Sequence, residues 1–410
     1  MRGFDGLRLR LWWERAFWVL PALGVVVGAY LAQQLVFLDG VLPESYTADP
    51  SSVTTALTAI GGGMITFTGF VFSFVVLLLQ FGSSQYSPRA VSYFLRARST
   101  QVILAIFLGT VAYAFVGVVL LPRQSRSGVA WTLACALALL LTSLVAFITL
   151  LHSVGRRVRV DAVLSHLGRA ARREMAHRLH AARRTTEVES VAPDDDRESR
   201  RVRHRGHTGQ VVAIDVHGLL RQARRTGASI EVLVRVGDSV SRGTPVVRVR
   251  GAASERVLAR CLVVDVERSL RHDPLYSLRL LVDIALRALS PAVNDPTTAV
   301  RSLDEIEEVL RDAGQLRLGP HAIRAGSGYV VVPRATWADV VDLALLEISV
   351  FGRAQPQVTR RLTAMVDDLI ADFPDEEDGP LLTVRARLRE LVADDGLAGV
   401  ALTADRQGLG

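Results

Sequence analysis

Lysine is absent from the 410 residues, so all 48 basic side chains are arginine. That removes Schiff-base lysine chemistry, a P-loop lysine and a biotinyl or lipoyl attachment site. Cysteine is almost as scarce: Cys135 sits inside an apolar run and Cys261 far beyond it, which supports neither a disulfide framework nor a cysteine-based metal site. His152, His166, His177 and His180 are spread over many helical turns and read as solvated or hydrogen-bonded residues rather than ligands. No HExxH, GxGxxG, Ser-His-Asp arrangement or paired carboxylate set stands out, and Gly61-Gly62-Gly63 lies in an apolar run and is no phosphate loop. No metal or cofactor is expected, and an enzyme is the weaker reading. Arginine without a reading helix or an aromatic platform gives no expectation of a nucleic-acid partner either.

What the chain has in excess is hydrophobic length. Half of its residues are hydrophobic, and they concentrate before residue 155. Four runs, at 16–38, 53–82, 100–121 and 128–154, are each long enough for a hydrocarbon core that needs about 20 helical residues. The first is too long for a signal-peptide core and lacks a clear cleavage site, so it reads as a retained span. In lipid every backbone amide must be satisfied internally, and uninterrupted apolar runs of this length leave only helices. The expected fold is therefore a polytopic four-helix membrane domain followed by a cytoplasmic α+β region.

Arginine placement orients the spans. Arg2, Arg8, Arg10 and Arg15 precede the first, Arg89, Arg96 and Arg98 separate the second from the third, and Arg156, Arg157 and Arg159 follow the fourth. The first external loop carries Asp39, Glu44 and Asp49 without arginine. By the positive-inside rule both termini are cytoplasmic, in a bacterial inner membrane, with residues 1–15 as a short cytoplasmic start.

The second span has an unusual face. Thr66, Ser73, Gln80 and Ser84 recur at intervals of seven, seven and four, with Gly62 and Gly69 close to the same stripe. Such a face either lines a water-filled path between subunits or forms a packing seam where small residues let helices approach. No ionisable residue lies in this span, which argues against a proton relay through carboxylates. At the membrane exit Gln85, Ser87, Pro88 and Arg89 form an abrupt break, since proline restricts both itself and the preceding residue.

Beyond the spans, 156–184 reads as a charged cytoplasmic helical extension, 185–206 as a linker, 207–270 as a small β-rich domain, 271–400 as a mainly helical α+β domain and 401–410 as a tail. The Gly-cornered strands of 207–270 suggest a small β-barrel or sandwich. In the helical part Asp283 and Arg287 are spaced for an i,i+4 pair, Asn294 and Asp295 can fold onto local backbone amides, and Asp295 or Thr297 can cap the helix that follows, with Pro296 just inside it. Together with Ser290 and Thr298 these residues could serve a small polar ligand or hold two helices in register.

The stretches GFVFSFVVLLLQFGSSQYSPR, RSTQVILAIFLGTVAY, LVDIALRALSPAVNDPTTAV and AQPQVTRRL carry a resemblance to the bacterial predicted membrane protein family called domain of unknown function 2254. The resemblance covers nearly the whole chain. It implies family-typical positions at Gln85, Ser87, Pro88, Arg89, Asp283, Ala285, Arg287, Ala288, Leu289, Ser290, Pro291, Asn294, Asp295, Pro296 and Thr298, with Tyr86 where phenylalanine is more usual. It supplies a layout and no activity. Two readings remain: an oligomeric ion or small-solute channel or transporter gated by its cytoplasmic region, or a membrane-anchored sensor or scaffold that binds a ligand or protein partner. The lipid bilayer and further copies of the chain are the expected partners.

Overall fold

The computed structural model describes residues 18–39, 49–85, 98–124, 130–157, 159–184, 187–188, 198–266, 268, 273–316, 318–373 and 379–394. The short start at 1–15, the tail at 401–410 and the exit residues Ser87, Pro88 and Arg89 lie outside them. The chain divides into two units, one over Asp5–Arg159 and one built on Val160–Gly410.

In the first unit the apolar runs fold as four helices, α1 (Val19–Asp39), α2 (Pro50–Gln85), α3 (Arg98–Gln124) and α4 (Ala130–Arg157). All four are long and apolar enough to cross a membrane. Apolar side chains cover the outside of these helices as well as their contacts, unlike in a water-soluble bundle. Leu141, Val145 and Ile148 face outward from α4, whereas Thr110, Ser143, Thr132 and Asp39 are buried. Water would penalise so large an apolar exterior, and hydrocarbon does not.

Small residues set the closest approach. Gly24 and Gly28 of α1 lie against Ala105 and Gly109 of α3: a Cβ added at Gly28 would fall 2.1 Å from the Gly109 carbonyl oxygen, and one at Gly24 2.2 Å from that of Ala105. The two backbones touch, which only small residues on both helices permit. The end of α1 then reaches the start of α4. The Asp39 carboxylate accepts from the Trp131 amide (3.2 Å), the Thr132 amide (2.9 Å) and the Thr132 hydroxyl (2.6 Å), so one helix caps the next. Tyr113 of α3 donates to the Thr132 carbonyl at 2.8 Å, and the Thr110 and Ser143 hydroxyls lie 3.0 Å apart between α3 and α4. Helix α2 packs through Leu57, Met64 and Val71, with Phe67 against Phe107 and Phe147.

The second unit opens with α5 (Val160–Arg184), which buries Val163, Leu164, Leu167, Ala171 and Met175 along one side. Strands β1 (Glu187–Val188), β2 (Ser199–Arg203), β3 (Gly209–Ile214), β4 (Ser229–Val232), β5 (Ser239–Val240), β6 (Pro245–Arg250) and β7 (Leu262–Asp265) follow, with helix α6 (Val216–Thr226) between β3 and β4 and α7 (Glu255–Arg260) before β7. Helices α8 (Pro274–Ala288) and α9 (Pro296–Gly314) precede β8 (His321–Ala325) and β9 (Gly328–Val332). Trp337–Val341, a π-helical turn Asp342–Leu346 and Glu347–Gly352 run on as α10; α11 (Pro356–Asp372) and α12 (Pro380–Asp394) complete the unit.

The strands form two open sheets, β1-β8-β9-β4-β6-β2 and β5-β3-β7, around one core that includes Val211, Leu219, Ile230, Val247, Leu262 and Val330. Of the barrel or sandwich expected here, no closed barrel is formed among the described residues. Gly237 (φ 98°) and Gly243 (φ 94°) do turn the chain, but they turn it between the two sheets. Closure is pre-empted because β9 adds to β4 in parallel after the helices α8 and α9, extending the larger sheet outward. The segment read as a linker carries β2 at 199–203, an edge strand of that sheet.

Two variants test the helix contacts. Alanine normally stabilises a helix relative to glycine, so Gly28→Ala should lower the thermal midpoint of the detergent-solubilised protein, by an overpacking cost of about 1–3 kcal/mol, while Gly63→Ala, whose Cβ meets nothing within 4 Å, should hold or raise it. A second expectation concerns pH. Burial, with Arg169 and Arg173 nearby, holds His166 below its ordinary value of 6.5. The unfolded chain therefore takes up this proton first, and stability is lost as pH falls from 6.5 toward the folded value. Melting curves between pH 7.5 and 5 should show this loss, and His166→Gln should shrink it.

Candidate functional site

Two regions carry the candidate residues. On α2, Gly62, Thr66, Gly69, Ser73 and Gln80 are all exposed, on the face turned away from Leu57, Met64 and Val71. The stripe is longer than its polar members: Thr55, Ala59, Gly62, Thr66, Gly69, Ser73, Val76 and Gln80 follow one another at alternating intervals of four and three, and every one is exposed. At 3.6 residues per turn they occupy an arc of about 100°. Ile65, Phe70 and Phe72 flank it as exposed bulky residues. A Cβ at Gly62 or Gly69 would meet no atom within 4 Å. Thr66 donates to the Gly62 carbonyl at 3.3 Å and Ser73 to that of Gly69 at 3.0 Å, so both hydroxyls are satisfied within the helix and need no partner in lipid. Ser84 lies in the last turn of α2 and Gln85 ends it.

The second region is the corner between α8 and α9. Helix α8 ends at Ala288, and the chain reverses within seven residues because Val293 and Asn294 donate their amides to the Ser290 carbonyl at 3.0 and 2.9 Å, and Asp295 donates its amide to that of Ala288 at 2.8 Å. Asn294 adopts φ 47°, the left-handed conformation that asparagine tolerates better than most side chains. The Asp295 carboxylate accepts from the Thr298 amide (3.1 Å) and hydroxyl (2.6 Å), which makes it the cap of α9, with Pro296 in the first turn. Ser290 donates its hydroxyl to the Arg287 carbonyl at 2.7 Å. These hydrogen bonds close the corner between α8 and α9.

The structure also adds residues that sequence reasoning missed. Asp283 is held by Arg279, one turn back on α8, at 2.8 Å. Arg279 in turn grips both oxygens of Glu347 on α10, at 2.8 and 2.9 Å. The Glu347 hydrogen bonds hold the Arg279 guanidinium above its ordinary range, more firmly protonated than a free side chain. Asp283 has an arginine four residues away on either side, and its spacing to Arg279 is the same as to Arg287. Gln355, at the start of α11, donates to the Asn294 side-chain oxygen at 2.9 Å. Two stretches far apart in sequence, SPAVNDPTTAV and AQPQVTRRL, thus meet at one joint. Deeper in the same helical layer Arg361 is 5% exposed and donates to Asp304 at 2.8 Å and to Glu307.

A family model described as "Predicted membrane protein (DUF2254)" matches residues 14–368. Uncharacterized proteins of Mycobacterium bovis and Mycobacterium tuberculosis are 29% identical over 433 residues, covering 96% of this chain and 80% of theirs. No solved structure matches.

The corner makes a specific demand on residue 294. Asn294→Gly should stay within about 0.5 kcal/mol of the parent, whereas Asn294→Val should cost about 1–2 kcal/mol, because a β-branched residue resists positive φ. Asp295→Ala should cost about 1 kcal/mol through the lost cap. Chemical denaturation of the solubilised protein measures all three, and equal midpoints for glycine and valine would rule out the conformational argument.

Proposed function

Since the chain belongs to the predicted membrane protein family DUF2254, we propose that it assembles as a homo-oligomer in the bacterial inner membrane and conducts a small ion or solute along its α2 helices. The observation that carries this reading is the exposed seven-residue repeat from Thr55 to Gln80. A seam with that period meets its own copy in neighbouring helices without drifting off the contact, and small side chains let the backbones come close. Twenty-five residue steps of helix span roughly 38 Å, enough to line a path through the hydrocarbon core. Bulky Ile65, Phe70 and Phe72 beside the seam suit lipid or a neighbouring copy, and the hydroxyls and glycines within it suit a narrow polar path. Both termini are cytoplasmic in this reading, which follows the arginine-rich segments, and the C-terminal unit gates the path.

A second reading rests on the corner of the C-terminal unit. Val293 and Phe351 are exposed apolar side chains close to the Asn294–Gln355 joint, which is what a sensor or scaffold that binds a protein partner would present.

Ion flux through the purified protein in sealed liposomes separates the two. Ser73→Leu or Gln80→Leu should change flux while the oligomer, sized by native mass spectrometry, stays intact; Gly69→Leu should break the oligomer. A tight bilayer around correctly oriented, oligomeric wild-type protein would transfer the assignment to sensing.

A further inference from the structure

Strand β2 forms one edge of the six-stranded sheet, and its arginines continue onto the next strand. Arg201 stands directly opposite Arg248 and Ser199 opposite Arg250, while Val202 and Val247 pair on the core side. Arg201, Arg248 and Arg250 therefore share the outward face. At the end of the strand Arg203 donates to the Gly243 carbonyl at 2.8 Å, which brings the turn residue Arg242 alongside. Carboxylates answer only part of this charge. Glu231 takes Arg248 at 2.7 Å and Glu255 takes Arg200 at 3.3 Å, but Arg201, Arg242 and Arg250 have no carboxylate partner among the described residues.

Like charges directly opposite one another across an antiparallel pair are destabilising. Protecting an edge from aggregation would need charge on β2 alone, yet Arg248 and Arg250 sit one strand farther in. A multivalent anion placed over the face would relieve the repulsion, and the planar guanidinium forks suit phosphate oxygens. The five-residue β2 and six-residue β6 carry no aromatic side chain, as a stacking platform for single-stranded nucleic acid would require. Four apolar spans on the same chain keep this unit within reach of a lipid surface, which raises the effective concentration of headgroups. We propose that the outward face of β2 and β6 docks on anionic lipid headgroups.

The test uses the full chain in nanodiscs of neutral phosphatidylcholine, or of the same lipid with phosphatidylglycerol added. A bimane label on Ser199→Cys, with Cys135 and Cys261 replaced by alanine, reports contact through quenching by headgroup spin-labelled lipid. Quenching is expected to rise several-fold with phosphatidylglycerol and to fall at high salt. Replacing Arg201, Arg242 and Arg250 by glutamine should lower the docked-to-undocked ratio on the order of 100-fold, whereas replacing them by lysine should largely keep it. Hydrogen exchange over 199–203 in the unlabelled wild-type chain should slow in the anionic discs, which checks the result without the cysteine substitutions. Equal quenching and equal exchange in both lipids, or a glutamine variant indistinguishable from wild type, would overturn the proposal. Binding of a single-stranded oligonucleotide that the glutamine variant loses, with no lipid dependence, would reassign the face to nucleic acid.

Discussion

The backbone contact between α1 and α3 is the constraint from which the architecture of the first unit follows. With Gly24 and Gly28 against Ala105 and Gly109, the two helix axes come closer than any larger side chains would allow. Lipid gives no hydrophobic drive for helices to associate, so this gain in van der Waals contact has to come from shape. The approach also places the end of α1 where Asp39 can satisfy the amides of Trp131 and Thr132 at the start of α4. Thr132 and Asp39 are buried, so an unpaired amide there would be a costly orphan. Packing and hydrogen bonding thus reinforce each other through one pair of helices.

Helix α2 joins this arrangement by one side only. Its buried residues Leu57, Met64 and Val71 recur at intervals of seven, and so do the exposed residues opposite, from Thr55 to Gln80. Within the chain the apolar seam is taken up by α3 and α4; the small and polar seam is left for lipid or for another copy.

The C-terminal unit solves a different problem, joining helices and strands that alternate irregularly along the chain. Strands β8 and β9 return to the larger sheet after the excursion through α8 and α9, and the tight corner at Asn294 and Asp295 makes that excursion compact. Charged groups in the helical layer are spent largely on one another: Arg279 bridges α8 to α10 through Glu347, and Arg361 bridges α11 to α9 through Asp304 and Glu307. Because the pairs are partly or wholly buried, they fix the register of these helices more effectively than exposed pairs would.

The sequence by itself determined the elements whose signal is local. Four apolar runs became four helices, and the capping chemistry around Asp295 and Pro296 marked the start of α9. Length, periodicity and capping chemistry are properties of neighbouring residues and can be read in order. Tertiary structure alone decided the glycine crossing of α1 and α3, the capping of α4 by Asp39, the bridge from Arg279 to Glu347, and the addition of β9 to β4 in an open sheet where a barrel or sandwich was expected. Each joins partners distant in sequence, and the choice falls to packing and hydrogen-bond geometry that no local pattern encodes.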